Sequence, residues 1–522
     1  MFLFNKLSNL YKSSVVVSAW TLLSRVMGFI RDILFASILG SGPVADAFLI
    51  AFRIPNLFRR FFAEGAFSAA FIPLLSEQNE KYGIQAGILF TSKIASILLV
   101  FIVPLIVLSE IFMPNIISLI APGFVDDVIR FELAIPYAKI IFPYLIFIIF
   151  TALFAASLNT NGKFWSGAAA PVILNIFLII ALMMSRYLAS DVGIILSWAV
   201  LIAGIFQMLL LAWANYKNGL AFNISAPKID NDIKLFIKRF LPGAFGAGVT
   251  QINLLVASIF ASQIPGAISW LYYSDRVAQL PLGIIGIAIG TVLLPDLAKK
   301  ISLGENEKQN LVQERAILLA ILFSLPSAVA LIFLSNLVIT TLFGYGVFIE
   351  SDIIATSSAL NVYALAIPAF MMIKVLLPNF FARKDTKTPV KIAAFCALIN
   401  IILSWYLMNR IGYIGIAISL CVAGYLNASL LFFIIIKRRF YILSSLFFIA
   451  FVKIILATIF MLLALFILNS LFLNINLTFI KFINIFQLLS FIVLGVVTFF
   501  SFSYVLGIKK YFTSKNILNN NK

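Results

Sequence analysis

The sequence predicts an all-α polytopic membrane protein with fourteen transmembrane helices, arranged as two pseudo-symmetric six-helix lobes followed by two extra C-terminal helices. Three observations predict it. Hydrophobic residues make up 62% of the 522 and charged residues only 11%, with a mean hydropathy of +1.09, far from the composition of a soluble domain. Apolar runs of about 20 residues, the length needed to cross a bilayer, recur fourteen times. The basic residues, finally, concentrate in every second loop, which is what that number of spans requires.

In order, the runs cover 15–38, 44–62, 88–112, 134–158, 167–186, 192–214, 236–262, 268–297, 316–342, 354–381, 390–408, 413–436, 446–470 and 480–507. The opening stretch MFLFNKLSNLYKSS has no small-residue cleavage site after a short apolar core. The first run is therefore expected to remain as a helix and not to be removed as a signal peptide. With the N-terminus in the cytoplasm, the loops after even-numbered runs and both tails hold twenty-five of the 38 basic residues. These include Lys6, Lys12, Arg60, Lys234, Lys308, Arg315, Arg383, Arg438 and Lys522, whereas the opposite loops hold only Arg130, Arg186, Arg410 and Lys481. The positive-inside rule then puts both termini in the cytoplasm. The same asymmetry accounts for the net charge of +18 without nucleic acid, and makes anionic lipid headgroups the natural partner of those loops.

Runs one to six echo runs seven to twelve. AFIPLLSE around Pro73 pairs with VLLPDLAK around Pro295, 222 positions later. IFPYLIF at Pro143 pairs with AIPAFMM at Pro368, and ILNIFLI at Asn175 with LINIILS at Asn400, both 225 positions later. Six spans is an even number, so the two copies share one orientation, as in transporters built from parallel repeats. The expected division is residues 1–220, 221–440, and a third part, 441–522, that stands outside the repeat.

Composition excludes several function classes. The chain has no histidine, which removes imidazole bases, histidine metal sites and histidine proton relays. No Gly-rich Walker loop, zinc spacing or nucleophile elbow is present. Cys396 and Cys421 both fall in apolar runs and read as buried thiols without a disulfide. The expectation is a protein that is not an enzyme and uses no cofactor or metal.

Against this apolar background the charges inside the runs stand out, since each costs roughly 2.5–3.5 kcal/mol at a helix centre. Lys93, Lys139 and Lys453 lie near run ends and can snorkel. Arg25, Arg31, Arg53, Arg59, Arg276 and Lys374 remain. At 100° per residue, Ser24, Arg25, Gly28, Arg31 and Asp32 share about 120° of the first helix. An internal pair of Arg25 or Arg31 with Asp32 explains one arginine but not two. In the second run Asp46, Arg53, Arg60 and Glu64 share an ideal-wheel stripe, with Arg59 beside Asn56 and Pro55 expected to kink the helix. In the eighth, Ser269, Tyr272, Arg276 and Gln279 share a face; a structural pair of Arg276 with Asp275 or Asp46 is the alternative. Several arginines facing one cavity repel unless water or an anion fills it. Guanidinium is the side chain suited to bidentate capture of phosphate, so the pattern points to a cavity binding a phosphate- or diphosphate-bearing substrate. If that substrate is an amphiphile, the two extra spans can supply an apolar groove.

The stretches SRVMGFIRD, ADAFLIAFRIPNLFRRFFAEGAFSAAFIP, APGF, SWLYYSDRVAQLPLGIIGIAIGTVLLP and FFARKDTKTPVK resemble the MurJ (MviN) family of lipid II flippases, within the multidrug/oligosaccharidyl-lipid/polysaccharide exporter superfamily. The resemblance implies a V-shaped, alternating-access transporter whose helices 13 and 14 shape a lipid-tail groove. It implies a substrate, lipid II, moved from the cytoplasmic to the periplasmic leaflet of the bacterial inner membrane. The cavity residues carried over are Ser24, Arg25, Arg31, Asp32, Asp46, Arg59, Glu64 and Arg276, with Lys374 beside them. Arg31, Arg59 and Arg276 form the diphosphate-facing set, so the resemblance favours Arg59 over Arg60. Gln279 stands where some relatives have an acid. Some relatives also bind a cation through carboxylates of the second lobe, where this chain offers Gln251, Asn253, Asn400 and Ser404 and no acid. A monomer is expected. The alternatives are a flippase for another polyprenyl-diphosphate oligosaccharide, of O-antigen or capsule type, and a multidrug antiporter. The antiporter would need cavity carboxylates where this chain has arginines.

Overall fold

Apolar text too long for strands and almost free of internal breaks forms helices here. The computed structural model is helical throughout, and describes residues 2–63, 66–188, 190–224, 226–227, 229–474 and 483–512. Side chains are described for all of these except 2–14, 60–63, 66, 243–254, 284–292 and 473–474. The chain divides into two compact units, Met1–Ser269 and Trp270–Lys522.

The first unit contains α1 (Phe2–Leu39), α2 (Pro43–Ala63), α3 (Ala66–Tyr82), α4 (Ile84–Ile111), α5 (Met113–Ile120), α6 (Val128–Ile141), α7 (Tyr144–Thr160), α8 (Trp165–Met184), α9 (Val192–Lys217) and α10 (Asn231–Ala261). A short 3-10 turn, Pro122–Phe124, lies between α5 and α6. Helix α1 packs on α8, α2 on α6 and α7, and α9 on α7 and α8. The buried rings of Tyr137 on α6 and Tyr144 on α7 set the spacing to α9. A Cβ on Gly193 would lie 2.2 Å from Tyr137 Cζ, so glycine is what lets α9 reach that ring.

Helix α11 (Ala267–Ser302) leads into the second unit, which holds α12 (Asn306–Phe333), α13 (Ser335–Phe343), α14 (Glu350–Ala382), α15 (Lys387–Ile411), α16 (Tyr413–Lys437), α17 (Ser445–Asn474), α18 (Ile483–Val505) and a 3-10 turn, Ile508–Tyr511. Helix α14 packs between α12 and α16, and the α17–α18 pair packs on α12 through α17. Cys396 and Cys421 are buried free thiols, as expected.

Among the described residues, nine helices are long and apolar enough to cross a membrane: α4, α8, α9, α12 and α14 to α18. Helices α6 and α7 pass together as a tenth, bent by 41°. The sequence predicts one run at 134–158; Pro143 splits it, because it has no N–H to donate to the carbonyl of Lys139. The run at 316–342 also differs. Its helix starts ten residues earlier, at Asn306, and breaks at Leu334 into α12 and α13. Helix α3 falls where a loop was expected. Its Phe67 and Phe71 rings stack at 5.2 Å, Phe71 stacks on Phe90 of α4 at 5.7 Å, and Phe67 meets Phe236 of α10 edge-on, so an apolar face holds an otherwise polar segment in place.

The loop after α14 is tied to the linker after α16. Asp385 accepts from the Thr388 hydroxyl at 2.7 Å and from its backbone N–H at 3.0 Å, and pairs with Arg438 at 2.7 Å. Those bonds, with Thr388 foremost, pull the Asp385 pKa down from 3.8 to about 2. A depressed carboxylate stabilises the fold above its unfolded pKa and loses that contribution as pH falls through the folded one. Asp385→Asn should therefore lower Tm at pH 7, with the gap to wild type closing as pH falls from about 4 towards 2. A gap that stays constant over that range, measured by nanoscale fluorimetry in detergent, would contradict this origin.

Candidate functional site

The charges of α1 sit on a helix that is otherwise Val, Leu, Ile and Phe. Arg31 turns its side-on fork onto its neighbour: Nε and Nη2 donate to Asp32 Oδ1 at 2.9 and 2.6 Å. Its remaining arm, Nη1, donates to Asn175 Oδ1 of α8 at 3.0 Å. Asn175 in turn donates its amide to the carbonyl of Ser24 at 2.9 Å, and its amide nitrogen lies 3.5 Å from where a Gly28 Cβ would be. Ser24, Gly28, Arg31 and Asp32 thus meet around one asparagine. Asp32 is 3% exposed and the Arg31 side chain 13%. Arg25, on the same stripe, is exposed, with no hydrogen bond or ion pair to any described residue.

Helix α2 carries its charges to three different places and runs through Pro55 without a break. Arg59 donates from Nε to Asn56 Oδ1 at 2.9 Å, one turn back, as the wheel suggested. Arg53 donates from Nη1 to the Ser258 hydroxyl of α10. Glu64 lies outside the described residues, as does the Arg60 side chain.

Asp46, in the first turn of α2, is fully buried and joins a different cluster. It accepts from Gly266 N–H at 2.9 Å, Ser269 N–H at 3.1 Å and the Ser269 hydroxyl at 2.7 Å. Arg130 Nη1 stands 3.5 Å from Asp46 Oδ2. The same guanidinium donates to the Ser262 carbonyl at 3.0 Å and to Asp127 at 2.6 Å, and lies over the Phe124 ring at 4.7 Å. Burial pushes the Asp127 carboxyl upward, but the Arg130 bonds and charge outweigh it and hold the pKa below the usual range. The APGF turn completes the seam. Gly123 N–H donates to the Ser262 hydroxyl at 3.1 Å, and a Cβ there would lie 2.4 Å from backbone atoms of Ser262 and Gln263. Only glycine fits.

In the second unit Arg276 donates from Nη2 to the Tyr272 hydroxyl at 3.2 Å and sits 4.7 Å from that ring's centre, one helical turn away on the face the wheel assigned to both. Asp275 accepts from Gln279. Lys374 Nζ donates to the Leu282 carbonyl at 3.1 Å. Of the four polar residues set against a cation site, Asn400 and Ser404 are buried on α15, whereas the Gln251 and Asn253 side chains lie outside the described ones.

The sequence reading missed Arg130 and the bridging role of Asn175. By sequence Arg130 lies in a loop between two apolar runs, and a loop charge has the same sequence signature whether solvated or buried. A sharper signal was available: Asp127 precedes it by three residues, a helix N-cap with a built-in partner. Asn175 was visible only as a repeat marker.

The pattern of the family described as "Lipid II flippase MurJ" matches residues 35–487. A probable lipid II flippase MurJ of Rhizobium tropici is 39% identical over 434 residues, covering 82% of this chain and 81% of that one. A lipid II flippase MurJ of Burkholderia cenocepacia is 34% identical over 439 residues, covering 83% and 85%. A solved structure of a lipid II flippase MurJ, in an inward closed conformation, superposes with a TM-score of 0.78 at 29% identity over 94% of this chain and 98% of that one. A multidrug transporter of the MATE family in its inward-facing conformation, at 16% identity and a TM-score of 0.67, shares the fold alone. The chain belongs to the lipid II flippase MurJ family.

Proposed function

We propose that the protein is a lipid II flippase, moving the undecaprenyl-diphosphate-linked peptidoglycan precursor from the cytoplasmic to the periplasmic leaflet of a bacterial inner membrane by alternating access. The observation that carries this reading, beside family membership, is the Arg31 fork. Two parallel donors of one guanidinium, on an apolar helix, are occupied by a single carboxylate oxygen. A diphosphate oxygen pair offers the same fork more charge and better-matched acceptors. Arg25, Arg59 and Arg276 would supply further positive charge to the cavity, with Ser24, Asp32, Glu64 and Lys374 completing its lining, while Asp46, enclosed by Gly266, Ser269 and Arg130, would hold the seam beside it. Asp32 is then the internal anion that holds Arg31 until substrate displaces it.

The chain would span the membrane fourteen times, with residues 1–220 and 221–440 as the two six-helix repeats and 441–522 as the lipid-tail groove and tail. Both termini would face the cytoplasm. The seam around Asp46 and Arg130 would then lie towards the periplasmic ends of the helices. The protein would act as a monomer, with no catalytic step. The test is complementation of a conditional lipid II flippase mutant. Growth on depletion supports the reading. Failure at normal membrane level, with rescue of an O-antigen or capsule flippase mutant instead, would move the substrate to another polyprenyl-diphosphate oligosaccharide.

A further inference from the structure

The sequence alone counts Arg315 among loop charges, yet it lies on the tenth residue of α12. That helix opens with polar text, NEKQNLVQER, and turns apolar at Ala316. Arg315 therefore marks the polar–apolar boundary, the depth at which lipid phosphates sit. Its guanidinium is held in an unusual state. Nε and Nη2 are both buried, and neither has a hydrogen-bond partner among the described residues. These two nitrogens form the side-on fork, the edge whose parallel N–H groups match two oxygens of a carboxylate or phosphate. A buried charged donor without a partner is costly, and the paired oxygens of an anion are what such a fork would satisfy.

The direction of the fork follows from helix geometry. Arg315 precedes Phe333 by 18 residues, five full turns, so both lie on one face of α12. Phe333 meets Phe466 of α17 and Phe491 of α18, each at 6.4 Å, and Phe323 meets Phe500 of α18 at 6.4 Å. The α12–α18 contacts run antiparallel, which carries Arg315 to the level of the Ile508–Tyr511 turn. Gln313 and Glu314 face elsewhere: Gln313 bonds to Val375 and Asn379 of α14, while the Glu314 oxygens are taken by the Tyr441 and Ser444 hydroxyls at 3.0 and 2.7 Å. The Glu314 carboxylate next in sequence is thus engaged away from Arg315. Around the same end are Lys509 and Lys510 on the turn, both exposed, and Lys453 of α17, whose Nζ lies 5.3 Å from the Tyr511 ring centre. The sequence holds no acidic residue after Asp385, so neither α17, α18 nor the turn brings a carboxylate to neutralise this end.

We infer that Arg315, on the face of α12 that meets α17 and α18, is the centre of a phosphate site for a lipid headgroup, with Lys453, Lys509 and Lys510 as its surrounding positive charge. The recognised chemistry is a phosphate ester at the membrane surface with its acyl or prenyl chain running along α17 and α18. A glycerophospholipid and a polyprenyl diphosphate both meet that description, and the site does not depend on what the protein transports.

Native mass spectrometry of the full chain, released from detergent with phosphatidylglycerol, phosphatidylcholine or undecaprenyl diphosphate added, tests it. The wild type should retain at least one phosphate-bearing anionic lipid about tenfold more than phosphatidylcholine. Arg315→Gln should abolish that preference, and Arg315→Lys should recover only part of it, because a point charge replaces a fork. Loss of phosphatidylglycerol retention alone assigns the site to bulk lipid, and loss of undecaprenyl diphosphate alone assigns it to the prenyl carrier. Either supports the site. Unchanged retention of both in Arg315→Gln would overturn it. If Arg315→Gln does not purify as a monodisperse species, Arg315→Lys carries the test: wild-type retention there would overturn it equally.

Discussion

Replacing Arg31 with alanine should abolish transport, by about a hundredfold or more. Its fork makes two charge-assisted hydrogen bonds, each worth roughly 1.5–3 kcal/mol, and if these pass to the substrate diphosphate their loss amounts to at least two powers of ten. The single substitution has a second effect. Asp32, 3% exposed, is left without its guanidinium, and breaking a buried pair from one side costs about 3–5 kcal/mol. The amount of protein in the membrane should therefore fall as well. The double change Arg31→Ala with Asp32→Ala separates the two effects: it should restore the membrane level and leave transport lost. Arg31→Lys should regain little. Changes at Arg31, Arg59 and Arg276 should be non-additive if they clamp one ligand. Recovery of level and transport together in the double mutant would reduce Arg31 to a structural partner of Asp32.

Asp46→Ala should give the largest loss of stability of any single substitution on the charged stripes. It removes an acceptor of three hydrogen bonds and leaves Arg130, 2% exposed, facing a void on one side. The expected cost is about 3–5 kcal/mol, read as a lower Tm of the purified protein. Arg130 keeps Asp127 and the Ser262 carbonyl, so Arg130→Ala added to Asp46→Ala should cost less than the sum of the single changes. Strict additivity would show that the 3.5 Å pair contributes nothing. Because the seam joins α2 to the segment between α10 and α11, its loosening should also weaken whichever conformation keeps these segments together.

How far the sequence spoke for the structure differs from element to element. Long apolar runs flanked by charge were legible because a membrane helix must satisfy its own backbone and tolerate few charges. Every run overlaps a helix. The break at Pro143 was not legible, since prolines at 55 and 104 leave α2 and α4 continuous; whether a proline breaks or merely sits in a helix depends on what packs against the freed carbonyl. Helix α3 was missed because its packing partners, Phe90 and Phe236, are distant in sequence. At the site, stripe geometry puts Ser24, Arg31 and Asp32 on one side of the first helix. It could not reveal that Asn175, from α8, ties them, that Arg130 leaves its loop for a buried position, or that Arg315 lies half-buried within α12. A positive charge in a polar stretch has one sequence signature, and only tertiary contact distinguishes a solvated charge from a buried one.

The most direct measurement of the central claim is the leaflet position of lipid II in cells where this chain is the sole lipid II flippase. With the native flippase depleted and the chain expressed, lipid II should become accessible to a periplasmic lipid II-cleaving toxin at a level close to that of undepleted cells, and Arg31→Ala with Asp32→Ala should abolish that accessibility at equal membrane level. Lipid II that stays protected while the unaltered chain is present at normal membrane level would contradict the account.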